Sequence, residues 1–257
     1  MNNNIKKLYN DPLYIKYIEN PTEEEQIAAV KRNGMVIRFL NASSDDVKRE
    51  AILNNPLCIE YIEDLSEDLG ILAVRLLWNS IKYIKNLTDN IMREAVKSKG
   101  WAIQFIENPS EEIKLLAVAK DFDAIKYIKD PSEAVQIKAI ETYWGAIRFI
   151  DNPTLEARRT AIKIDEESIN YIMNYDLDDL KIFIGDNINI VKYVYDSIDI
   201  DTIVDIIKDK ICKDDIDDKY MRDFLELEVL EMDKIGLVKE YGSKKAKMIL
   251  VDYKLGL

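Results

Sequence analysis

The chain has 257 residues, with 48 acidic against 36 basic side chains and no histidine, for a formal net charge of -12. The missing imidazole excludes Ser-His catalytic triads and histidine-bound metal centres, and the negative balance argues against a protein that wraps nucleic acid by neutralising its phosphates. No stretch approaches the roughly 18 consecutive apolar residues that a membrane span requires, so no membrane partner is expected.

The first segment, Met1-Asn2-Asn3-Asn4-Ile5-Lys6-Lys7, has no apolar run behind its lysines, which predicts no secretory signal and hence a cytoplasmic protein. From there an aromatic residue followed by an aliphatic one recurs every 22 residues: Tyr17-Ile18, Phe39-Leu40, Tyr61-Ile62, Tyr83-Ile84, Phe105-Ile106, Tyr127-Ile128, Phe149-Ile150, Tyr171-Ile172 and Tyr193-Val194. A fixed period of this length marks a solenoid, whose short units bury their apolar faces only by stacking on their neighbours. An isoleucine or valine stands two residues before each aromatic, from Ile15 to Val191, and these offsets of three and four set one face of a short first helix.

Each unit then turns. Asn20-Pro21-Thr22, Asn108-Pro109-Ser110, Asp130-Pro131-Ser132 and Asn152-Pro153-Thr154 combine a proline, which disfavours helix in the residue before it, with a Ser or Thr that caps the next helix. Acids such as Glu23, Glu24, Asp45, Asp46, Glu111 and Glu112 complement the positive end of that helix. The second helix carries Ala29, Ala51, Ala73, Ala95, Ala117, Ala139 and Ala161 at one phase, small enough for close helix approach. Gly34, Pro56 and Gly100 close the unit as residues that end helices or turn the chain. The expected fold is therefore an all-α solenoid of 22-residue helix-turn-helix repeats, stacked like HEAT repeats, over residues 1–195, with about nine units of which the last two are degenerate.

Five aromatics depart from the repeat: Trp78, Trp101, Phe122, Tyr143 and Trp144, which include all three tryptophans. Their close phases place them on one edge of the stack, where exposed Trp and Tyr serve as partner-binding anchors; full burial of Trp78 and Trp144 would remove that reading. The position before each repeat aromatic forms a second candidate, a basic ladder of Lys16, Arg38, Lys82, Lys126, Arg148 and Lys192. Its plainer interpretation is exposed helix positions paired with nearby acids, Lys16 with Glu19 and Lys126 with Asp130. Cys58 and Cys212 lie too far apart for a disulfide framework or metal cluster, and Cys58 falls at a repeat position filled by small or apolar residues. Neither a metal nor another cofactor is expected.

The segments Ala102-Ile103-Gln104-Phe105-Ile106-Glu107-Asn108-Pro109-Ser110-Glu111-Glu112 and Ala124 to Ala139 resemble the repeat called domain of unknown function 4116, seen in bacterial and phage proteins. The resemblance covers about residues 10–173, most closely 100–154. It implies a fold and no activity.

After Tyr171 the pattern decays, with Phe183 in place of the alanine and Asp176 in place of the capping Ser or Thr. Residues 196–257 are expected to form an acidic helical cap, with apolar periodicity through Ile203, Ile206 and Ile207 and again through Phe224, Leu227 and Leu230. Residues 174–233 hold 18 acids against 7 bases, while 234–257 reverse the balance with 6 bases against 2 acids. Asp214, Asp215, Asp217 and Asp218 crowd one turn and are candidates for contact with a basic partner.

No phosphate-binding or dinucleotide glycine pattern occurs, and the expectation is a non-enzyme: a scaffold that binds a protein partner through the aromatic edge or the acidic turn. Its narrower form, suggested by the Ile, Asn, Lys, Asp and Tyr bias of an AT-rich genome, is a phage or mobile-element inhibitor of a host defence complex. The alternatives are an acidic nucleic-acid mimic that fills a basic groove and a helical-repeat protein that binds or modifies nucleic acid through its basic ladder.

Overall fold

The computed structural model describes residues 3–256, and every regular element among them is helical. Two kinds of helix alternate. The α-helices are α1 (Asn3–Asn10), α2 (Glu23–Arg32), α3 (Asp45–Asn54), α4 (Glu67–Leu76), α5 (Asp89–Ser98), α6 (Glu111–Lys120), α7 (Glu133–Thr142), α8 (Leu155–Ile164) and α9 (Leu177–Asp186). Between them run 3-10 helices at Pro12–Tyr17, Gly34–Phe39, Pro56–Tyr61, Trp78–Tyr83, Gly100–Phe105, Phe122–Tyr127, Trp144–Phe149 and Glu166–Tyr171. The short first helix of each unit is thus 3-10 in type, and the array is a solenoid of paired 3-10 and α elements.

The tighter helix decides what each repeat residue does. Side chains three apart eclipse in a 3-10 helix, so Gly100, Ile103 and the capping Ile106 share one buried column while Gln104 faces out. The aromatic that marks the period lies outside that column and keeps much of its surface in solvent: Tyr17 is 69%, Tyr127 42% and Tyr171 42% exposed. The core is built from the isoleucine two places before it and from the alanine phase of the α-helices. Ala29, Ala51, Ala73, Ala95, Ala117, Ala139 and Ala161 are completely buried, as is the Val or Ile that follows each.

Turn chemistry fixes the entry to each α-helix. Thr22, Ser44, Thr88, Ser110, Ser132 and Thr154 accept the backbone N–H three residues on, and Thr22 with Glu25 completes a capping box. Asp176 accepts the N–H of Asp179 at 2.9 Å, so its departure from Ser or Thr keeps the cap. Asn20, Asn108 and Asp130, each before a proline, hold φ values of 49°, 49° and 48°. This left-handed geometry is one that Asn and Asp tolerate better than other residues with a side chain, which explains their place in these three motifs, while Asn152 of the fourth does not adopt it.

Gly34, Pro56 and Gly100 stand directly after the α-helix C-caps Asn33, Asn55 and Lys99, and each is also the first residue of a 3-10 helix. The two glycines are needed for space: a Cβ would stand 2.3 Å from the carbonyl oxygen of Ala51 at Gly34, and 2.3 Å from that of Ala117 at Gly100. At these two junctions the carbonyl of a buried alanine is matched by a missing side chain in the previous repeat, whereas equivalent helices elsewhere start with Pro56, Trp78, Phe122 or Trp144.

The chain divides into two compact units, residues 1–131 and 132–257. In the first, α1 to α6 pack each against the next, and successive 3-10 helices do the same. In the second, α7, α8 and α9 keep that order. The repeat then ends with Phe183 fully buried in the alanine position and packed edge-on against Tyr175, ring centroids 6.3 Å apart. Its 3-10 helix shrinks to Ile188–Ile190 and runs into α10 (Val191–Val194) and a 3-10 turn at Tyr195–Ser197. Four helices follow: α11 (Ile200–Ile211), α12 (Asp218–Glu226), α13 (Lys234–Tyr241) and α14 (Lys244–Leu255). α11 packs on α9, while α12 and α13 pack on α14.

Candidate protein-binding edge

The 3-10 helices present the repeat-breaking aromatics at their starts. Trp78, Phe122 and Trp144 are first residues, Trp101 is a second residue, and Tyr143 is the residue that precedes its helix. Trp78, Trp101, Phe122 and Trp144 are half-buried, and Tyr143 is 41% exposed.

In the first unit each tryptophan meets the repeat aromatic of the following 3-10 helix. Trp78 stacks on Phe105 with centroids 6.2 Å apart and planes at 30°, and Trp101 meets Tyr127 edge-on at 6.4 Å. The two indoles meet different partners and not each other. A polar network holds Trp101: its Nε1 donates to Asp123 Oδ1 at 2.6 Å, and Lys99 Nζ lies 4.7 Å from its ring centre. Lys99 also pairs with Asp121 at 2.7 Å, and the other Asp121 oxygen accepts the Gly100 N–H at 2.6 Å.

The second unit repeats the arrangement with a thicker stack. Trp144 packs on Tyr171 at 6.1 Å, and Tyr143 packs on Trp144 at 5.7 Å. Tyr143 can lie there because Gly145 has no side chain; a Cβ would come 2.4 Å from its Cε1. Arg148 caps the group, its guanidinium carbon 5.3 Å from the Tyr171 ring and 5.5 Å from Phe149.

The basic ladder lies beside the repeat aromatics within each unit. Lys16, Arg38 and Lys82 each fold over the adjacent repeat aromatic, Tyr17, Phe39 and Tyr83, at 4.7 Å from the ring centre. Lys126 reaches Asp123 at 3.7 Å and Lys192 reaches Glu166 at 3.6 Å. These cations lie over aromatic faces or beside carboxylates within the chain.

The acids are similarly engaged. Ser44 and Thr88, the caps of α3 and α5, donate to Glu23 and Glu67 in the first turn of the preceding helix, and Glu112 pairs with Arg93. In the C-terminal turn Asp217 accepts the Lys219 N–H at 2.8 Å and Asp218 pairs with Lys245 at 2.9 Å, which leaves Asp214 and Asp215 in solvent.

Sequence reasoning missed the exposed repeat aromatics and the Lys99, Asp121 and Asp123 set. Their signal was present as charged residues at the starts of the Gly100 and Phe122 helices, positions that hold uncharged residues in neighbouring units. Close to the edge, burial pushes the Tyr193 phenol above its ordinary value, reinforced by Glu167, Glu166 and Asp165. No protein family, curated protein or solved structure matches the chain.

Proposed function

We propose that this chain is a non-catalytic scaffold that binds a protein partner along the aromatic edges of its 3-10 helices. The observation that supports it is the pairing of each tryptophan with the next repeat's aromatic: Trp78 with Phe105 and Trp101 with Tyr127 in the first unit, Trp144 with Tyr171 in the second. Large rings fixed in this way lose little conformational freedom on binding and offer apolar area with a polar rim, the properties of interface anchors. Cations laid over the rings favour a partner surface that is apolar with acidic flanks. Kinship with the repeat family that residues 100–154 resemble is part of the same proposal, and brings no activity with it.

The nucleic-acid-mimic reading draws less support, because a mimic needs free carboxylates at regular spacing and the helix-start acids Glu23, Glu67 and Glu112 are bonded to neighbouring repeats. Salt dependence separates the two, since mimicry weakens steeply with ionic strength and aromatic-anchored binding less so.

The test is a pull-down from bacterial lysate on the immobilised chain, washed at low and high salt, with Trp78→Ala, Trp101→Ala, Tyr143→Ala and Trp144→Ala run alongside after a circular-dichroism check of folding. A stoichiometric protein that survives high salt and is lost from at least one of these variants is the expected result. Retention of basic nucleic-acid-binding proteins at low salt only, or of partners indifferent to all four changes, would remove the proposal.

A further inference from the structure

The last helix of the second unit has two faces of different character. Ala246, Ile249 and Leu250 of α14 are buried, on a helix that packs against α12 and α13. On the opposite side Met248, Val251 and Leu255 are 59%, 55% and 67% exposed. Lys244, Lys247, Met248, Val251 and Asp252 line a shallow hollow of about 550 Å³ there.

The spacing of this face is specific. Lys244, Met248, Val251 and Leu255 follow one another at intervals of four, three and four, which are the d, a, d and a positions of a coiled-coil heptad. Lys247 then falls at g and Asp252 at e. In two parallel helices in register, a g residue faces the e residue five places on in the other copy. Lys247 therefore stands opposite Asp252 of a second copy, and the two-fold axis makes that contact twice. Neither side chain has an ion-pair partner among the described residues, so both charges are free for it.

We propose that the exposed face of α14 docks on the same face of a second copy of this chain, the two helices parallel and in register about a two-fold axis. The contact is isologous: one patch meets itself, with Met248, Val251 and Leu255 forming the seam and Lys247 and Asp252 the flanks. Because its other face already holds α14 in place, association does not have to order a helix first. A single helix of 12 residues covers less than the roughly 800 Å² per partner of a standard interface, so the dimer is weak and dilution separates it.

Sedimentation velocity of the full chain over a wide micromolar range tests this. Wild type should move from the 29.8 kDa monomer toward twice that mass as concentration rises. Met248→Glu and Val251→Glu should stay monomeric, and both sites are more than half exposed, so folding is not at stake. Lys247→Asp and Asp252→Lys should each weaken self-association several-fold, whereas an equimolar mixture of the two should recover it, since every flank pair in the mixed dimer is again of opposite charge. Orientation is read from Leu255→Cys in a Cys212→Ser background. Oxidation should link two copies in the parallel register, while an antiparallel pair centred between Ile249 and Leu250 would hold the two positions about 16 Å apart. A monomer at every concentration, or a dimer indifferent to the glutamate variants, overturns the surface. A dimer that forms without the cross-link overturns the parallel register.

Discussion

Trp101 and Asp123 occupy the same position in consecutive repeats, and the indole Nε1 of one donates to a carboxylate oxygen of the other at 2.6 Å. Lys99 and Asp121 stand in the same relation, with Nζ and Oδ1 2.7 Å apart. Equivalent positions in neighbouring units thus carry complementary groups, and the repeat is joined laterally by polar contacts as well as by its alanine core. Removing either partner leaves the other half-buried with its hydrogen bond lost. A cycle of Trp101→Phe, Asp123→Ala and the double variant, followed by urea denaturation, should give a coupling of about 1–2 kcal/mol for this charge-assisted bond. Strict additivity would mean that the contact carries no stability.

Glycine replacements should separate sharply by location. Gly100→Ala drives a methyl group into the Ala117 carbonyl oxygen, a backbone atom that can yield only if two repeats move apart, and should cost roughly 1–3 kcal/mol. Gly185, in the last turn of α9, has only the Lys210 Cε nearby, at 3.2 Å, and a lysine stem can swing away. Gly185→Ala should range from neutral to about 1 kcal/mol stabilising through reduced freedom of the unfolded chain. Thermal melts of the two variants decide the matter, and equal shifts would contradict the assignment of Gly100 to close packing.

Acid should weaken the contact between α4 and α5. The hydrogen bond from Arg75 Nε, 2.8 Å long, and a further one from Lys97 hold the Glu94 carboxyl below its ordinary value against the opposing effect of burial. With the folded value depressed, the stabilisation is present above the unfolded value and is lost as pH falls through the folded one. Arg75 is 62% exposed, so solvent screening limits the effect to below about 1 kcal/mol. Glu94→Gln should lower stability slightly near neutral pH, and the deficit should shrink as acid protonates the folded-state carboxyl, as measured by denaturant titration over a descending pH series. A deficit that persists in acid would assign the effect to packing.

The two thiols should differ in reactivity. Burial leaves Cys58 without solvent contact and pushes its thiol up to about 12, whereas Cys212 is exposed at the end of α11. Alkylation of the native chain near neutral pH should modify Cys212 alone, and Cys58 only after denaturant is added. Peptide mapping that finds both modified without denaturant would show that the repeat around Cys58 opens readily.

Much of the fold was legible because it rests on short-range rules. The alanine phase, the Ser and Thr caps and the change of pattern after Tyr171 each depend on residues within one turn of one another. The 3-10 character of the first helix was not, since an apolar spacing of three serves both helix types and only the hydrogen bonds distinguish them. The close approach at Gly34 and Gly100 was hidden for another reason: it comes from the carbonyl of an alanine in the following unit. At the candidate edge the five repeat-breaking aromatics could be picked out, but the exposure of Tyr17, Tyr127 and Tyr171 could not, because an aromatic reads as core until the buried column is known. The ion pair between Asp218 and Lys245 was not legible either, because Lys245 lies two helices further along.

The fit between Gly34 and Ala51 also bears on how such a chain can change length. Cutting out residues 45–66 would splice Ser44 onto Glu67, giving α4 a Ser cap again, and Gly34 would then face Ala73 with the same missing side chain and the same carbonyl. Loss or gain of one whole unit keeps the alanine phase in register across each junction, at the cost only of pairs specific to two repeats such as Trp101 with Asp123, whereas a shift by one residue would put side chains where the backbone has no room. Unequal recombination in whole repeats is therefore the mutational step this architecture tolerates, and the unbroken 22-residue spacing from Tyr17 to Tyr193 is what that constraint leaves in a sequence.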